Sequence, residues 1–141
     1  MVFSEIRTNK FNAKRSQYNG YWYDSKMEAG YAEDLDWRKK AKDIKDWERQ
    51  VRVSLDIEKK GERFHICDYI VDFKIHHNDG SIEWIEVKGM ETGEWRLKRK
   101  LFEALILTER PDERYTVVKS GPSHRNRKGQ YFNKRSKVIH V

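Results

Sequence analysis

Three consecutive stretches of the chain alternate apolar and polar residues in the pattern of β-strands. They cover residues 51–57, 64–76 and 82–88, and each is rich in β-branched and aromatic side chains. The second and third stretches are separated by Asn-Asp-Gly at residues 78–80, a combination typical of tight hairpin turns. The sequence therefore predicts a three-stranded meander whose last two strands form a hairpin.

The length of the hairpin loop decides which side chains share a face of the sheet. A two-residue loop at Asp79 and Gly80 would place Asp72 and Glu86 on opposite faces, because side chains alternate along a strand. A three-residue loop beginning at Asn78 would instead pair Asp72 with Glu86. One face would then carry Asp72, Glu86 and Lys88, and the other an apolar set suited to a core: Val71, Phe73, Ile75, Ile85 and Val87. We expect the three-residue loop for this reason.

Helices are predicted on both sides of the meander. Ser25 and Glu28 form a capping box that begins a helix running to about Lys42. A second helix is predicted over residues 94–108, with an inward face of Leu97, Leu101, Ala104, Leu105 and Ile106. It leads into a strand at 115–119, which should pair in parallel with strand 82–88.

The predicted fold class is α/β. We expect a single domain with a mixed β-sheet flanked by helices, in the order α-β-β-β-α-β. Residues 1–23 are polar, basic and aromatic, with a turn at Asn19 and Gly20, and are predicted to be an N-terminal arm. Residues 24–141 form the domain, with a loop-rich basic tail from about residue 120 that ends in an edge strand at 138–141.

Charge is distributed unevenly along the chain. The net charge is +7 overall, but residues 1–23 carry +3, residues 24–113 carry −4 and residues 114–141 carry +8. Basic ends around a slightly acidic centre suit a protein that grips a polyanion and holds a metal with its acids. The alternative is a cationic surface that only aids solubility.

Composition restricts the other classes of function. Cys67 is the only cysteine, so an internal disulfide or a cysteine-based zinc site is excluded. The sequence contains no apolar run of the length of a membrane span, so no membrane association is expected. No glycine-rich phosphate loop is present, so no nucleotide cofactor is expected. We expect a soluble protein of a reducing, cytoplasmic compartment.

The face that carries Asp72, Glu86 and Lys88 is the candidate functional site. Two adjacent carboxylates repel each other, and a divalent cation bound between them relieves the repulsion. Such residues are also common on solvated sheet surfaces, where they form cross-strand ion pairs. A partly covered cleft is favoured because the same face also carries Ile70, Ile82 and Trp84.

These residues resemble the motif of the PD-(D/E)XK nuclease superfamily. The match consists of Glu28 on a first helix, Asp72 on a strand and Glu86-Val87-Lys88 on the next strand, followed by a helix. It is closer to small phage-encoded members and to archaeal-type Holliday junction resolvases, and covers roughly residues 10–120. The chain departs from the motif at Val71, where many members have proline.

The resemblance implies a catalytic set of Glu28, Asp72, Glu86, Lys88 and Ser25. Asp72, Glu86 and the Val87 carbonyl would hold Mg²⁺ or Mn²⁺, with Glu28 as a further ligand. Lys88 would assist the attacking water. Gln50 would contact the metal ligands or orient the substrate, and its alternative role is that of an ordinary surface glutamine. Glu28 and Ser25 have an alternative role, since a capping box needs the same two residues.

DNA is the expected partner. The cations predicted to contact its backbone are Lys10, Lys14, Arg15, Arg96, Lys98, Arg99, Lys100, Arg125, Arg127 and Lys128. Those on the second helix have the alternative role of a solvated helix face. His76 and His77 lie at the hairpin end without paired ligands at metal spacing, and are interpreted as surface residues.

The implied function is a Mg²⁺-dependent, structure-specific DNA endonuclease, with Holliday junction resolution as the leading expectation. Symmetric nicking of a four-way junction would require a homodimer. The resemblance to phage proteins implies the host cytoplasm as the compartment. The alternatives are a nuclease of the same fold acting on flaps, ends or mismatches, and a catalytically silent DNA-binding module.

Overall fold

The computed structural model describes residues 15–119, 123–125, 131–133 and 137–140, the last three segments by their backbone alone. Within it the chain divides into two compact units, one ending at Ile44 and the other beginning at Lys45. Lys10, Lys14, Arg127 and Lys128, four of the predicted DNA contacts, lie outside the described residues.

The first unit consists of a short hairpin and one helix. Strands β1 (Ser16–Tyr18) and β2 (Tyr21–Tyr23) pair antiparallel, and both pack against helix α1 (Lys26–Lys40). The turn between the strands forms at Asn19 and Gly20, which both have positive φ angles. The turn predicted at this position is confirmed.

The second unit contains a mixed five-stranded sheet in the order β3-β4-β5-β6-β9. β3, β4 and β5 form the antiparallel meander, β6 pairs in parallel with β5, and β9 pairs antiparallel with β6. The bounds are β3 Asp46–Lys59, β4 Glu62–His76, β5 Ile82–Lys88, α2 Gly93–Phe102, a π-helical turn Glu103–Leu107, β6 Arg114–Lys119 and β9 Lys137–His140. The predicted α/β class with a mixed sheet is confirmed.

The tail contains one element that the sequence pattern did not predict. Strands β7 (Ser123–Arg125) and β8 (Tyr131–Asn133) form a separate two-stranded sheet. The expected edge strand is present as β9.

The main core of the second unit lies between the sheet and α2. It consists of Leu55, Tyr69, Val71, Trp84, Trp95, Phe102, Tyr115 and Val117. Phe102 is at its centre, with edge-to-face contacts to Tyr69, Trp84 and Tyr115 at 5.3–5.4 Å between ring centroids. The prediction that Leu97 faces inward is wrong, since its side chain is 60% exposed and Trp95 and Phe102 are the buried residues of α2.

The structure also bears on membrane association. Among the described residues, none of the helices combines the length and the apolar character needed to cross a membrane.

Candidate functional site

The hairpin register brings Asp72 and Glu86 opposite each other. The backbone of His77 donates to the Ser81 carbonyl, and Gly80, with φ of 86°, closes the loop by donating to His77. The ladder between β4 and β5 then runs from the pair His76 and Ile82 to the pair Phe73 and Ile85. Asp72 and Glu86 are the next pair in this register, so the prediction of a three-residue loop is confirmed.

The two carboxylates connect the strands where the regular ladder ends. The backbone N–H of Val87 donates to Asp72 Oδ2 at 2.8 Å, and the backbone N–H of Asp72 donates to Glu86 Oε2 at 3.3 Å. Each acid therefore takes a hydrogen bond from the backbone of the other strand. Hydrogen bonds to a carboxylate are stronger than those between neutral groups, so they fix both side chains in position.

Side chains along β4 alternate between the two faces of the sheet, but this alternation is interrupted at Asp72. The odd-numbered residues just before Asp72 lie on one face, and those just after it lie on the other. Phe73 pairs with Ile85, whereas Tyr69 and Val71, which also have odd numbers, pack with Trp84 and Tyr115 in the core beneath α2. The expectation that Val71 shares a face with Phe73 is therefore wrong.

The neighbouring strand is irregular at the same position. Gln50 lies between the paired positions Arg49 and Val51, opposite Asp72, and has a φ angle of 46°. A left-handed residue inside a strand bends it and re-aims nearby side chains, as bulges do beside active sites. Gln50 is exposed and lies opposite Asp72 on the strand next to it. Its predicted supporting role is consistent with this place and stays a prediction.

Glu86 is buried on the α2 side of the sheet. Only 4% of it is exposed, and it pairs with Val117 on β6 while Trp84, two residues earlier, pairs with Tyr115. The hydroxyls of Tyr69 and Tyr115 lie 2.6 Å apart in the same layer. Burial, followed by the negative charge of Glu86, raises the pKa of Tyr69 well above its usual range. The two hydroxyls therefore stay protonated beside a buried carboxylate.

The pKa of Tyr115 is raised in the same way. Burial is the largest cause, and the charge of Glu86 adds to it, while the hydrogen bond with Tyr69 acts in the opposite direction. The negative charge of Glu86 thus contributes to the raised pKa of both tyrosines. The Glu86 carboxylate therefore lies close to the two hydroxyls.

Lys88 is held near the site by an aromatic ring of α2. Its Nζ lies 5.3 Å from the centroid of the Trp95 ring, and the guanidinium of Arg99 lies 5.7 Å from the same centroid. Cations over a tryptophan face are attracted by the ring quadrupole. Trp95 therefore confines the ammonium group two residues beyond Glu86 on the same strand face.

The donor set fits a hard divalent cation. Mg²⁺ is usually bound through one or two carboxylates, with water and substrate phosphates completing its coordination. Asp72 and Glu86 supply two carboxylates and Val87 a backbone carbonyl. Among the described residues, no group of three or more His, Cys, Asp and Glu side chains lies close enough to hold a metal.

Ser25 and Glu28 form the predicted cap of α1. Ser25 Oγ accepts a hydrogen bond from the Glu28 backbone N–H at 3.1 Å, which satisfies one N–H of the first turn. Glu28 is 9% exposed, an unusual degree of burial for a carboxylate. Both residues belong to the first unit, and their catalytic roles stay predictions.

Several of the predicted DNA contacts are engaged in ion pairs. Arg96 pairs with Glu91, Lys98 with Glu94 and Arg99 with Glu103, at 2.9–3.4 Å. Arg15 pairs with Asp24 at 3.6 Å. Lys100 is exposed, and Arg125 lies on β7, where the structure describes the backbone alone.

His76 and His77 each contact a carboxylate through a ring nitrogen. His76 Nε2 lies 2.7 Å from Glu48 Oε2, and His77 Nε2 lies 2.8 Å from Glu83 Oε2. Only 32% of the His76 side chain and 17% of the His77 side chain are exposed, so both are more enclosed than the surface residues that were predicted.

Tyr69, Tyr115 and Trp95 belong to the site but were not predicted from the sequence. Trp95 lies in the first turn of α2, after the loop that follows Lys88, and Tyr115 lies near the start of β6, the strand that pairs with β5. Because α2 connects the two parallel strands and packs over them, aromatic residues at these two places could have indicated contacts with the site. Tyr69 lies 46 residues from Tyr115, and no local pattern connects the two.

The fold and the site together define an α/β protein with a mixed sheet and a carboxylate pair at the point where two antiparallel strands stop pairing. The chain belongs to the family described as "Protein of unknown function (DUF1064)", whose model matches residues 8–128. No curated protein and no solved structure matches the chain.

Proposed function

We propose that the protein is a Mg²⁺- or Mn²⁺-dependent, structure-specific DNA endonuclease. The observation that supports this most is the pair of carboxylates on adjacent strands, each fixed by a backbone hydrogen bond from the other strand, with a lysine two residues further along. The order of these residues also resembles the PD-(D/E)XK pattern. The metal site would be formed by Asp72, Glu86 and the Val87 carbonyl.

The bound ion would polarise the scissile phosphate and lower the pKa of a coordinated water. The residues around it have separate tasks. Asp72 and Glu86 hold negative charge at fixed positions, because backbone hydrogen bonds restrain both side chains. Lys88 orients the attacking water or offsets the charge that develops on the phosphate oxygens. Trp95 restricts Lys88 to the region beyond Glu86.

DNA binding would come chiefly from backbone contacts, since no base-reading motif is present. On α2, Arg96, Lys98 and Arg99 share their charge with acidic neighbours. No ion pair is observed for the exposed Lys100 within the described part of the chain. We therefore expect Lys100 to contribute more to DNA binding than the other three cations of α2. The arm and tail cations would add to the contact surface.

The substrate we propose is a four-way junction, cut by a homodimer in the cytoplasm, or in the host cytoplasm if the gene is carried by a phage. A dimer places two identical sites at a fixed distance, as symmetric nicking requires.

The experiment that tests the proposal is a cleavage assay on a labelled four-way junction, a flap, a duplex and a single strand in Mg²⁺. We expect junction nicking by the wild type and none by Asp72→Asn or Glu86→Gln, with DNA binding retained. Asp68→Asn is the matched control, because Asp68 lies on the same strand and pairs with Arg52 at 2.7 Å. Preferential cutting of flaps or ends would replace the junction as substrate, and no cleavage of any DNA would reject the nuclease proposal.

A further inference from the structure

The first unit contains an open pocket between its hairpin and its helix. The pocket is lined by Tyr18, Asn19, Asp36, Lys39 and Lys40 and has a volume of about 570 Å³. This lies within the roughly 300–1,000 Å³ typical of sites for small organic groups. None of its lining residues was predicted to contact DNA.

Trp37 directly follows the pocket residue Asp36 in sequence and is 63% exposed, more than any other large hydrophobic residue of the described chain. Lys40 Nζ lies 5.0 Å from the centroid of its ring. Lys40 therefore links Trp37 to the pocket, since its ammonium group lies over one face of the Trp37 ring and its side chain also lines the pocket.

The pocket lining carries one acidic and two basic side chains, Asp36, Lys39 and Lys40. The Tyr18 hydroxyl donates to Asp36 Oδ2 at 2.7 Å. That hydrogen bond, burial and the Asp36 charge raise the pKa of Tyr18 to about 12, so the hydroxyl stays protonated at neutral pH. The Asp36 carboxylate repels phosphate but accepts hydrogen bonds from amino groups, while Lys39 and Lys40 attract phosphate.

We propose that the pocket and Trp37 form a binding site for single-stranded DNA. One base enters the pocket, where Asn19 and Asp36 face its polar edge, and a neighbouring base stacks on Trp37. Their phosphates lie against Lys39 and Lys40. Exposed aromatic rings beside cations are the usual platform for single strands. The ligand, DNA, rests on the proposed function, but this site is distinct from the carboxylate pair and is tested by binding alone.

The competing explanation is that these cations serve the helix itself. Arg38, Lys39 and Lys40 occupy the last turn of α1, where positive charge stabilises the helix dipole. An i,i+3 pair of Trp37 and Lys40 also adds a surface cation–π contact. Both effects act on helix stability and neither requires DNA, so binding and unfolding measurements separate the two explanations.

The first test measures binding of a fluorescent single-stranded oligonucleotide in EDTA by anisotropy. We expect Trp37→Ala to weaken binding roughly 5- to 150-fold, the range for loss of one base–aromatic stack. Trp37→Phe keeps an aromatic face and should retain most of the affinity. Phe64→Ala is the control, since Phe64 is 46% exposed but lies on β4 in the other unit. Equal affinities for the wild type and Trp37→Ala, or equal losses in Trp37→Ala and Phe64→Ala, would overturn the proposal.

The second test measures the salt dependence of the same binding. Lys39→Gln with Lys40→Gln should reduce the slope of log K against log salt by about 1.4, because each single-strand phosphate contact contributes about 0.7. Lys59→Gln with Lys60→Gln removes the same charge from the β3–β4 turn and should leave the slope nearly unchanged. Equal changes in the two double variants would mean that net charge alone acts, which would overturn the proposal.

Failure of this inference can be distinguished from failure of the proposed function. DNA cleavage that depends on Asp72, with binding independent of Trp37, would reject the pocket alone. Binding that depends on Trp37, without any metal-dependent cleavage, would reject the nuclease alone.

Discussion

At the scale of single residues, Asp72 and Glu86 replace part of the backbone ladder with side-chain hydrogen bonds. Backbone pairing between β4 and β5 ends at Phe73 and Ile85, and the two carboxylates bind the N–H groups of Val87 and Asp72 just beyond it. A carboxylate held in this way loses little freedom when it takes on a further partner, since its position is already fixed. The structure itself therefore holds the two carboxylates in place.

Lys88 provides a prediction at this scale. Lys88→Ala should slow cleavage by roughly two to four orders of magnitude, the usual contribution of a positioned acid–base group. Single-turnover kinetics on the cleaved DNA measure this effect directly. Lys74→Ala is the matched control, because Lys74 Nζ also lies over a tryptophan, 4.9 Å from the centroid of the Trp84 ring. Equal rates for Lys88→Ala and the wild type would remove Lys88 from the mechanism.

The site residues differ in how far the sequence could predict them. Asp72, Glu86 and Lys88 follow from strand alternation and the loop length, which are local properties. The face of the sheet on which Tyr69 and Val71 lie depends on the shift at Asp72, which occurs opposite the positive φ of Gln50 on another strand. No pattern along one strand contains that information.

At the scale of elements, the hairpin loop sets the register on which the site depends. Gly80 has a φ angle of 86°, which glycine adopts readily and an L side chain does not. The orientation of α2 was less predictable than the hairpin. Its apolar spacing indicated Leu97 as a core residue, but the helix buries Trp95 and Phe102 against the sheet instead. Helix periodicity alone leaves the rotation of a short amphipathic helix open when apolar residues lie on several sides.

Two glycine substitutions, one in the loop and one in α1 for comparison, should change the free energy of unfolding in opposite directions. Gly80→Ala should destabilise the protein by about 1–2 kcal/mol, because it forces alanine into the left-handed region. Gly30→Ala should stabilise it by roughly 0.5–1 kcal/mol, since Gly30 lies inside α1 with open space around its Cα. Urea unfolding of both variants measures the free energies. Stabilisation by Gly80→Ala would contradict the loop geometry.

At the scale of the whole molecule, the proposed DNA binding would rest on many weak contacts. The chain carries +7 overall, while the region that contains the carboxylate pair is slightly acidic. Cations paired with neighbouring acids contribute less to phosphate binding than unpaired ones, so α2 alone does not supply the positive surface. The basic segments at both ends of the sequence would supply the remainder.

A homodimer is the prediction that belongs to this scale. Symmetric cleavage of a four-way junction needs two sites related by a twofold axis. Light scattering at micromolar concentration, with and without junction DNA, should give twice the mass of the chain. The mass of a single chain in both conditions would favour a nuclease that acts on flaps or ends.

The central claim is that Asp72 and Glu86 support metal-dependent cleavage of DNA, and a Mg²⁺ titration of the cleavage rate tests it most directly. The account predicts a rate that rises with Mg²⁺ to saturation and falls to background in EDTA. It also predicts that Glu86→Gln stays at background at every Mg²⁺ concentration, while Asp68→Asn follows the wild-type curve. Undiminished cleavage in EDTA, or a wild-type curve for Glu86→Gln, would contradict it.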